Sequence, residues 1–491
     1  MRETMMLLVI LIPIIAGVLV PFLPFQKRAH MEIFLEGFVI LNSLLVWYLL
    51  FHHPEELFTL ARFTGDLSIT FRVDGMSMVF AGLVSALWPF ATLYAFEYMT
   101  KEDHEKIFFT FYTMTYGVTL GISLAGNLLT MYFFYELLTL VTVPLVMHTL
   151  KREAILASRK YLYYSLGGAA FAFIGLIFVI IYGTTTDFVL GGVLNIAKIG
   201  DRTNILLLIY VMAFMGFGVK AAVCPFNSWL PDAGVAPTPV TALLHAVAVV
   251  KSGAFAIIRL TYYSFGTDFL KGTWAQNVVM VVAMFTVVYG CSRAVKETHI
   301  KRRLAYSTIS NLSYIVFGAV LMTPLGMVGA LSHMIFHAIM KISAFFCAGA
   351  IMHQTERHYV HELDGLGYRM PWVFGVFTVS ALGLMGVPGL AGFISKWNLA
   401  SAAADTGSSL AYAGIGCLLL SALLTAIYML TIVVRAFFPE KDFDDSGNEE
   451  AKDPNWKMLL PLAVFTVFTV VFGVYSAPLT EFLKAVASGI Y

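Results

Sequence analysis

About fourteen apolar runs, each roughly 20 residues long, follow one another along this chain and constrain its fold more than any other feature. In a bilayer no water satisfies exposed backbone amides, so each run must close its own hydrogen bonds as a helix. The runs lie near 4–24, 31–51, 75–97, 107–126, 127–149, 160–183, 203–224, 237–264, 274–295, 303–323, 327–353, 371–400, 409–437 and 457–483. Composition agrees: of 491 residues 59% are hydrophobic and 12% charged, about half the charged fraction of a soluble domain. The first run lacks a small-residue cleavage site and reads as a retained helix. A net charge of +1 gives no footprint for nucleic acid. Cys224, Cys291, Cys347 and Cys417 are too scattered for a metal-ligand motif or a disulfide framework.

Basic residues orient the runs, because Lys and Arg accumulate in cytoplasmic loops. With the N-terminus outside, nineteen fall in inner loops and seven in outer segments. Both termini are therefore expected to be extracytoplasmic, in a prokaryotic cytoplasmic membrane. Of the other five, Arg259 lies near a span end, while Lys220, Lys251, Lys341 and Lys396 lie inside spans. The alternating segment from Leu67 to Val73 predicts a short extracytoplasmic β-hairpin, and the acidic loop from Pro439 to Asp453 reads as disordered.

Spans 4–8 and 9–13 form two consecutive sets of five, and an odd number forces the second set to enter from the opposite side. That is the topology of an inverted repeat. The expected organisation is residues 1–106 for three N-terminal spans with the hairpin, 107–264 and 265–437 for the repeats, and 438–491 for the acidic loop and last span. Each repeat has one interrupted span: the seventh at Cys224-Pro225, the twelfth at Val387-Pro388-Gly389. Proline removes a backbone donor and clashes with the preceding turn. Lys220 and Lys396 sit beside these breaks, and matched broken helices near matched lysines point to a transport site.

A lysine at membrane depth costs about 2.5–3.5 kcal/mol on insertion scales, so one that persists faces protein or water. Glu136 reads as the only carboxylate well inside a span, with Lys220 its economical partner across the first repeat. His333, His337 and Lys341 follow an i, i+4, i+8 spacing, which puts them on one helical face over roughly 12 Å. His245 and Lys251 are about 9 Å apart along the axis but on different faces. Lysine and histidine suit proton relay because burial brings a lysine toward the range in which histidine already titrates. The competing reading is structural: buried ion pairs can fix packing without moving ions. No nucleophile–base pair, phosphate loop or metal site competes with these.

At these residues the chain resembles the antiporter-like subunits shared by Mrp-type Na+/H+ antiporters, respiratory complex I and energy-converting membrane-bound hydrogenases. The resemblance covers about residues 65–440. It is carried by FRVDGMS at Phe71, FEYM at Phe96, LLTMYFFYELLTL around Glu136, VKAAVCPFNSWLPDAGVAPTPVTALLHAVAVVKSG from Val219, IKRRLAYSTISNLSYI from Ile300, HMIFHAIMKISAFFCAGAI from His333 and GVPGLAGFISKW around Lys396. It implies an all-α polytopic membrane protein of about 14 transmembrane helices, with two inverted five-helix repeats and broken helices 7 and 12. By position it implies Glu136 and Lys220 as a modulating ion pair, His245 and Lys251 as central relay, His333, His337 and Lys341 as second-half relay, and Lys396 as terminal proton site.

A lysine at position 396 looks like the Mrp D-type and hydrogenase-associated subunits, not the complex I subunit with glutamate there. Asn227 stands where PFHSWLPDA forms carry histidine, and the chain ends soon after the last span without the long lateral helix of the largest complex I member. The expected function is a proton-translocating subunit of a redox-driven ion-pumping complex, with no catalytic centre and no cofactor in this chain. Iron–sulfur or hydrogenase centres would then reside in partner subunits: a hydrogenase or ferredoxin-oxidising arm, beside further antiporter-like and small helical membrane subunits. The alternatives are an Mrp-type secondary Na+/H+ antiporter subunit and a structural membrane anchor.

Overall fold

The computed structural model describes residues 2–52, 57–65, 67–439 and 445–490. A helix forms on every apolar run, and the longer connections between runs carry the hairpin or short helical turns. Among the described residues ten helical stretches are long and apolar enough to cross a membrane, and Thr4–Leu19 and Pro371–Met385 are apolar but shorter. Two stretches form the centre. Thr238–Phe265 and Pro324–Thr355 are buried over the whole of their apolar windows, as expected of helices that are apolar or small-sided all round. The Pro324–Thr355 helix packs against Gly75–Tyr98, Ile300–Val320, Pro371–Met385, Ala391–Asp405, Trp456–Val474 and Ala477–Ala487. Outer helices such as Arg28–Phe51, Arg152–Tyr182 and Ser409–Phe437 expose Leu44, Tyr163, Leu419 and Leu423, a surface suited to lipid tails or partner helices.

The hairpin predicted at Leu67–Val73 is present. Strand Phe58–Arg62 pairs antiparallel with Ser68–Phe71, with Phe58 opposite Phe71 and an irregularity between Thr59 and Ala61. It docks on a helix end: Gly126 N donates to Thr70 O at 2.9 Å, and Arg72 N to Leu124 O at 2.8 Å.

Both expected helix breaks are present, and one is wider than the sequence suggests. The seventh run is helical only over Thr203–Gly218, so unwinding starts at Val219, five residues before Cys224, and places Lys220 inside the break. Pro225 lacks an amide donor and disfavours helical geometry at Cys224, and Ala222 turns the chain through a left-handed conformation at φ 55°. Side chains answer the freed groups, as lipid requires. Trp229 Nε1 donates to Val219 O at 2.8 Å, Tyr135 Oη to Phe217 O at 3.2 Å, and the Cys224 amide to Thr286 Oγ1 at 3.0 Å. The twelfth run is two helices, Pro371–Met385 and Ala391–Asp405, hinged at Gly386 with φ 93°.

Residues 440–444 of the acidic loop lie outside the described residues. The remainder is docked, contrary to the disorder expected: Asn448 is buried and donates to Asp364 O at 3.1 Å. Asp453 accepts from the Trp372 and Val373 amides at 3.2 and 3.1 Å. Those two amides open a helix and have no partner inside it, so a carboxylate there satisfies both donors.

Candidate functional site

The two wholly buried helices carry the lysines and histidines, and the breaks bring the remaining lysines to them. Lys220, His245, Lys251, His333, His337 and Lys341 are all 0% exposed. The closest contact crosses between the two central helices: Lys251 Nζ and His337 Nδ1 are 2.5 Å apart, in hydrogen-bond contact. One turn away on the same helix, the His333 ring stacks on His337 with centroids 5.8 Å apart and planes 18° from parallel. His333 then contacts the broken helix through Nδ1, which is 2.9 Å from Ser395 Oγ, and stacks on Tyr314 at 5.1 Å.

Lys396, next in sequence to Ser395, completes the line. Its ammonium donates to Leu384 O at 2.6 Å and Met385 O at 3.0 Å and lies 5.2 Å from the Tyr314 ring centre. Those carbonyls end the first half of the broken helix, where unpaired acceptors and the negative end of the dipole favour a cation. The break therefore builds a seat for the lysine.

Lys341 leads elsewhere. Its Nζ donates to Ser307 Oγ at 2.7 Å, and Tyr428 Oη donates to the same oxygen at 2.7 Å while lying 3.1 Å from Thr425 Oγ1. The helical register holds as expected, but Lys341 feeds a hydroxyl branch on the Ile300–Val320 and Ser409–Phe437 helices. His245 sits in a π-helical turn, Leu243–Val247, the kind of local widening common at functional positions. It packs on Phe345 at 4.9 Å and lies in electrostatic range of Lys251, Lys301 and Lys341. Among the described residues neither of its ring nitrogens has a hydrogen-bond partner of good geometry.

The first-repeat pair is not closed. Lys220 donates to the Tyr135 carbonyl and stands 3.4 Å over that residue's ring, while Glu136 Oε1 finds no hydrogen-bond partner among the described residues. Glu136 remains in electrostatic range of Lys220, so Tyr135 holds the lysine beside the carboxylate without direct contact. A helical turn explains this: adjacent side chains point about 100° apart, and the unwound strand approaches on the side of Tyr135. Asn227 is buried beside the break, with Nδ2 unpartnered among the described residues.

Gly253 lets the break and the central helix touch. A Cβ there would lie 2.4 Å from Ala221 N and 2.7 Å from Lys220 C. Because the obstacle is backbone, Gly253→Ala is expected to cost about 1–3 kcal/mol as an overpacked contact and to displace Lys220 from Tyr135. A lower unfolding temperature of the detergent-solubilised complex, with Glu136–Lys220 coupling altered in transport assays, is the expected result; wild-type behaviour in both would show that the helices have room.

Several groups are not legible in the sequence. Arg259, near a span end by hydropathy, is wholly buried and pairs with Asp74 through two bonds of 2.6 and 2.7 Å. Ser307, Tyr428, Ser395 and Tyr314 are hidden because single hydroxyl residues in apolar runs carry no periodic signal; the polar string from Tyr306 to Ser313 is the one available hint. Lys301, a loop residue by sequence, is buried and donates to Ala236 O at 2.8 Å. It lines a cavity of about 320 Å³ with Tyr98, Glu102, Lys151 and His299. There burial pushes the Glu102 carboxyl up and holds the His299 imidazole down at about 4.

Comparison with known proteins agrees with this architecture. Residues 125–425 match the family model described as NADH:quinone oxidoreductase/Mrp antiporter, TM. The D-type subunit of a Na+/H+ antiporter from Alkalihalophilus pseudofirmus is 26% identical, covering 99% of this chain and 97% of its own length. NAD(P)H-quinone oxidoreductase chain 4-3 of a Nostoc species is 28% identical over 79% of this chain and 69% of its own length. Two solved structures share the fold at a TM-score of 0.85 and 22% identity: the archaeal membrane-bound sulfane sulfur reductase, covering 99% of this chain, and the Mrp complex of a Dietzia species, covering 100%. With the family model matching well over half of its length, the chain belongs to the membrane-spanning proton-antiporter family of NADH:quinone oxidoreductases and Mrp antiporters.

Proposed function

We propose that this chain is the proton-translocating, antiporter-like membrane subunit of a multisubunit ion-pumping complex, and that Lys251, His337, His333 and Lys396 carry the proton. The observation that carries the reading is the buried succession from the Lys251–His337 contact through His333 and Ser395 to the Lys396 seat. A neutral imidazole accepts a proton at one nitrogen and releases one from the other. A proton passed from Lys251 to His337 Nδ1 therefore frees one at Nε2, which has no hydrogen-bond partner among the described residues. The 5.8 Å between the His337 and His333 ring centres is a step that a single water can bridge. Glu136 and Lys220 act as the modulating charges, and Lys341 with His245 as side branches that set the charge around Lys251.

The driving reaction is read as redox, with iron–sulfur or hydrogenase centres in partner subunits and none in this chain. The relation to quinone oxidoreductase subunits supports it. The second reading, a secondary Na+/H+ antiporter subunit, is favoured by the near end-to-end match with a D-type antiporter subunit. Both place the chain in a prokaryotic cytoplasmic membrane, in two inverted five-helix repeats with both termini extracytoplasmic. The test is to purify the native complex, assay iron and hydrogenase or ferredoxin-oxidising activity, and reconstitute it in liposomes with an internal pH dye. Iron with substrate-driven ΔpH supports the redox reading; Na+-driven ΔpH without iron supports the antiporter. Proton movement under neither drive would reject the function.

A further inference from the structure

A third group of buried polar side chains lies among the N-terminal helices, away from the lysine–histidine line. Glu36 stands well inside the Arg28–Phe51 helix, so Glu136 is not the only carboxylate within a span. Three helices share a landmark at one end: Arg28 donates to Glu105 at 2.8 Å and to the Phe96 carbonyl. Glu36 is eight residues from Arg28, Tyr112 seven from Glu105, and Trp88 eight from Phe96. All three therefore lie about 10–12 Å in from that end, at one level. Trp88 packs on Tyr112 at 5.6 Å and on Tyr116 at 4.8 Å, and Tyr112 lies in electrostatic range of Glu36.

The group stands out for what it lacks. Among the described residues, Glu36 Oε2, Trp88 Nε1 and Tyr112 Oη are buried without a hydrogen-bond partner. Trp88 and Tyr112 are each 0% exposed, and Glu36 as a whole is half-buried. Each such atom is costly if it stays unpaired, so the cluster calls for a ligand that both donates and accepts. A bare cation does not fit, because the indole N–H only donates. Water fits every member. Among the described residues no cation is paired with the carboxyl: Tyr112 shares its level, while Glu32 lies one turn away and Arg28, Glu97 and Glu105 about two turns away, with Lys457 on Glu32. Arg28 is bonded to Glu32 and Glu105. An unbalanced carboxylate at this depth is costly, and a carboxyl that holds a proton avoids the cost.

We propose that Glu36, Trp88 and Tyr112 line a hydrated proton-binding site, with Glu36 as the group that takes up and releases the proton. The test is modification of the native complex in membranes with a hydrophobic carbodiimide, which attacks protonated carboxyls, read by peptide mass spectrometry across pH with and without Na+. The expected result is labelling at Glu36 that falls as pH rises and does not respond to Na+. It should vanish in Glu36→Gln, and the pH at which it is lost should shift in Tyr112→Phe, a variant that keeps the ring packing. Absence of labelling in the wild-type complex would overturn the proposal without relying on any variant folding. Protection by Na+ would overturn it in favour of a cation site, and an unshifted profile in Tyr112→Phe would remove the cluster from the site.

Discussion

Lys251→Ala is expected to abolish ΔpH formation in inverted vesicles containing the whole complex, while the complex still assembles. Lys251 alone among the relay lysines touches a relay histidine directly, at 2.5 Å from His337 Nδ1. Without it His337 has no proton source on the facing helix. A fall of at least about 100-fold in pumping is expected, the low end of what a positioned proton-transfer group contributes. Lys251→Arg separates relay from simple charge. Arginine keeps the positive charge but does not release its proton in a protein, so a relay predicts that this variant is as inactive as alanine. If the lysine only balanced charge or filled space, arginine would restore function. Lys396→Ala should also stop pumping, because it removes the ammonium seated on the Leu384 and Met385 carbonyls at the end of the line. ΔpH unchanged in both alanine variants, at matched expression, would reject the relay and leave this chain as scaffold.

What is legible in the sequence follows from where the information sits. The register of His333, His337 and Lys341 is a property of one helix, so the spacing predicts a shared face, and the histidines do stack. The breaks are legible because proline and glycine act on their own backbone. Partners across the fold are not. Nothing local says that Lys341 meets Ser307, or that Tyr135 rather than Glu136 receives Lys220; those contacts depend on how far a helix unwinds and which face the strand then meets. Arg259 and Asp74 are 185 residues apart, and the sequence places Arg259 only near a span end because hydropathy measures depth along a helix and not what packs around it. Glu36 is hidden for a related reason. It lies near charged residues at the start of its helix, and only the three-helix level with Tyr112 and Trp88 shows it as internal.

The Asp74–Arg259 pair should dominate stability as Lys251 dominates transport. Asp74 caps the Gly75–Tyr98 helix, accepting from the Ser77 amide at 2.9 Å, and its two oxygens take both terminal nitrogens of Arg259. The guanidinium also lies between the rings of Phe188 and Tyr263, each 4.7 Å from its centre. The pair thus ties the N-terminal helices to the π-helical turn that ends the first central helix, Arg259–Phe265. Asp74→Ala leaves a buried guanidinium without its counter-charge, a change worth about 3–5 kcal/mol, and removes a cap worth about 1 kcal/mol more. Little assembled complex should survive in the membrane, and what survives should unfold at lower temperature. Adding Arg259→Leu removes the stranded charge and should recover part of the loss, since two apolar side chains can replace a buried pair at small cost. The pair lies off the lysine–histidine line, so pumping per assembled complex should be unchanged in the double variant. If pumping per complex falls with assembly intact, the pair is part of the proton path, and relay and scaffold are not separate at that end of the molecule.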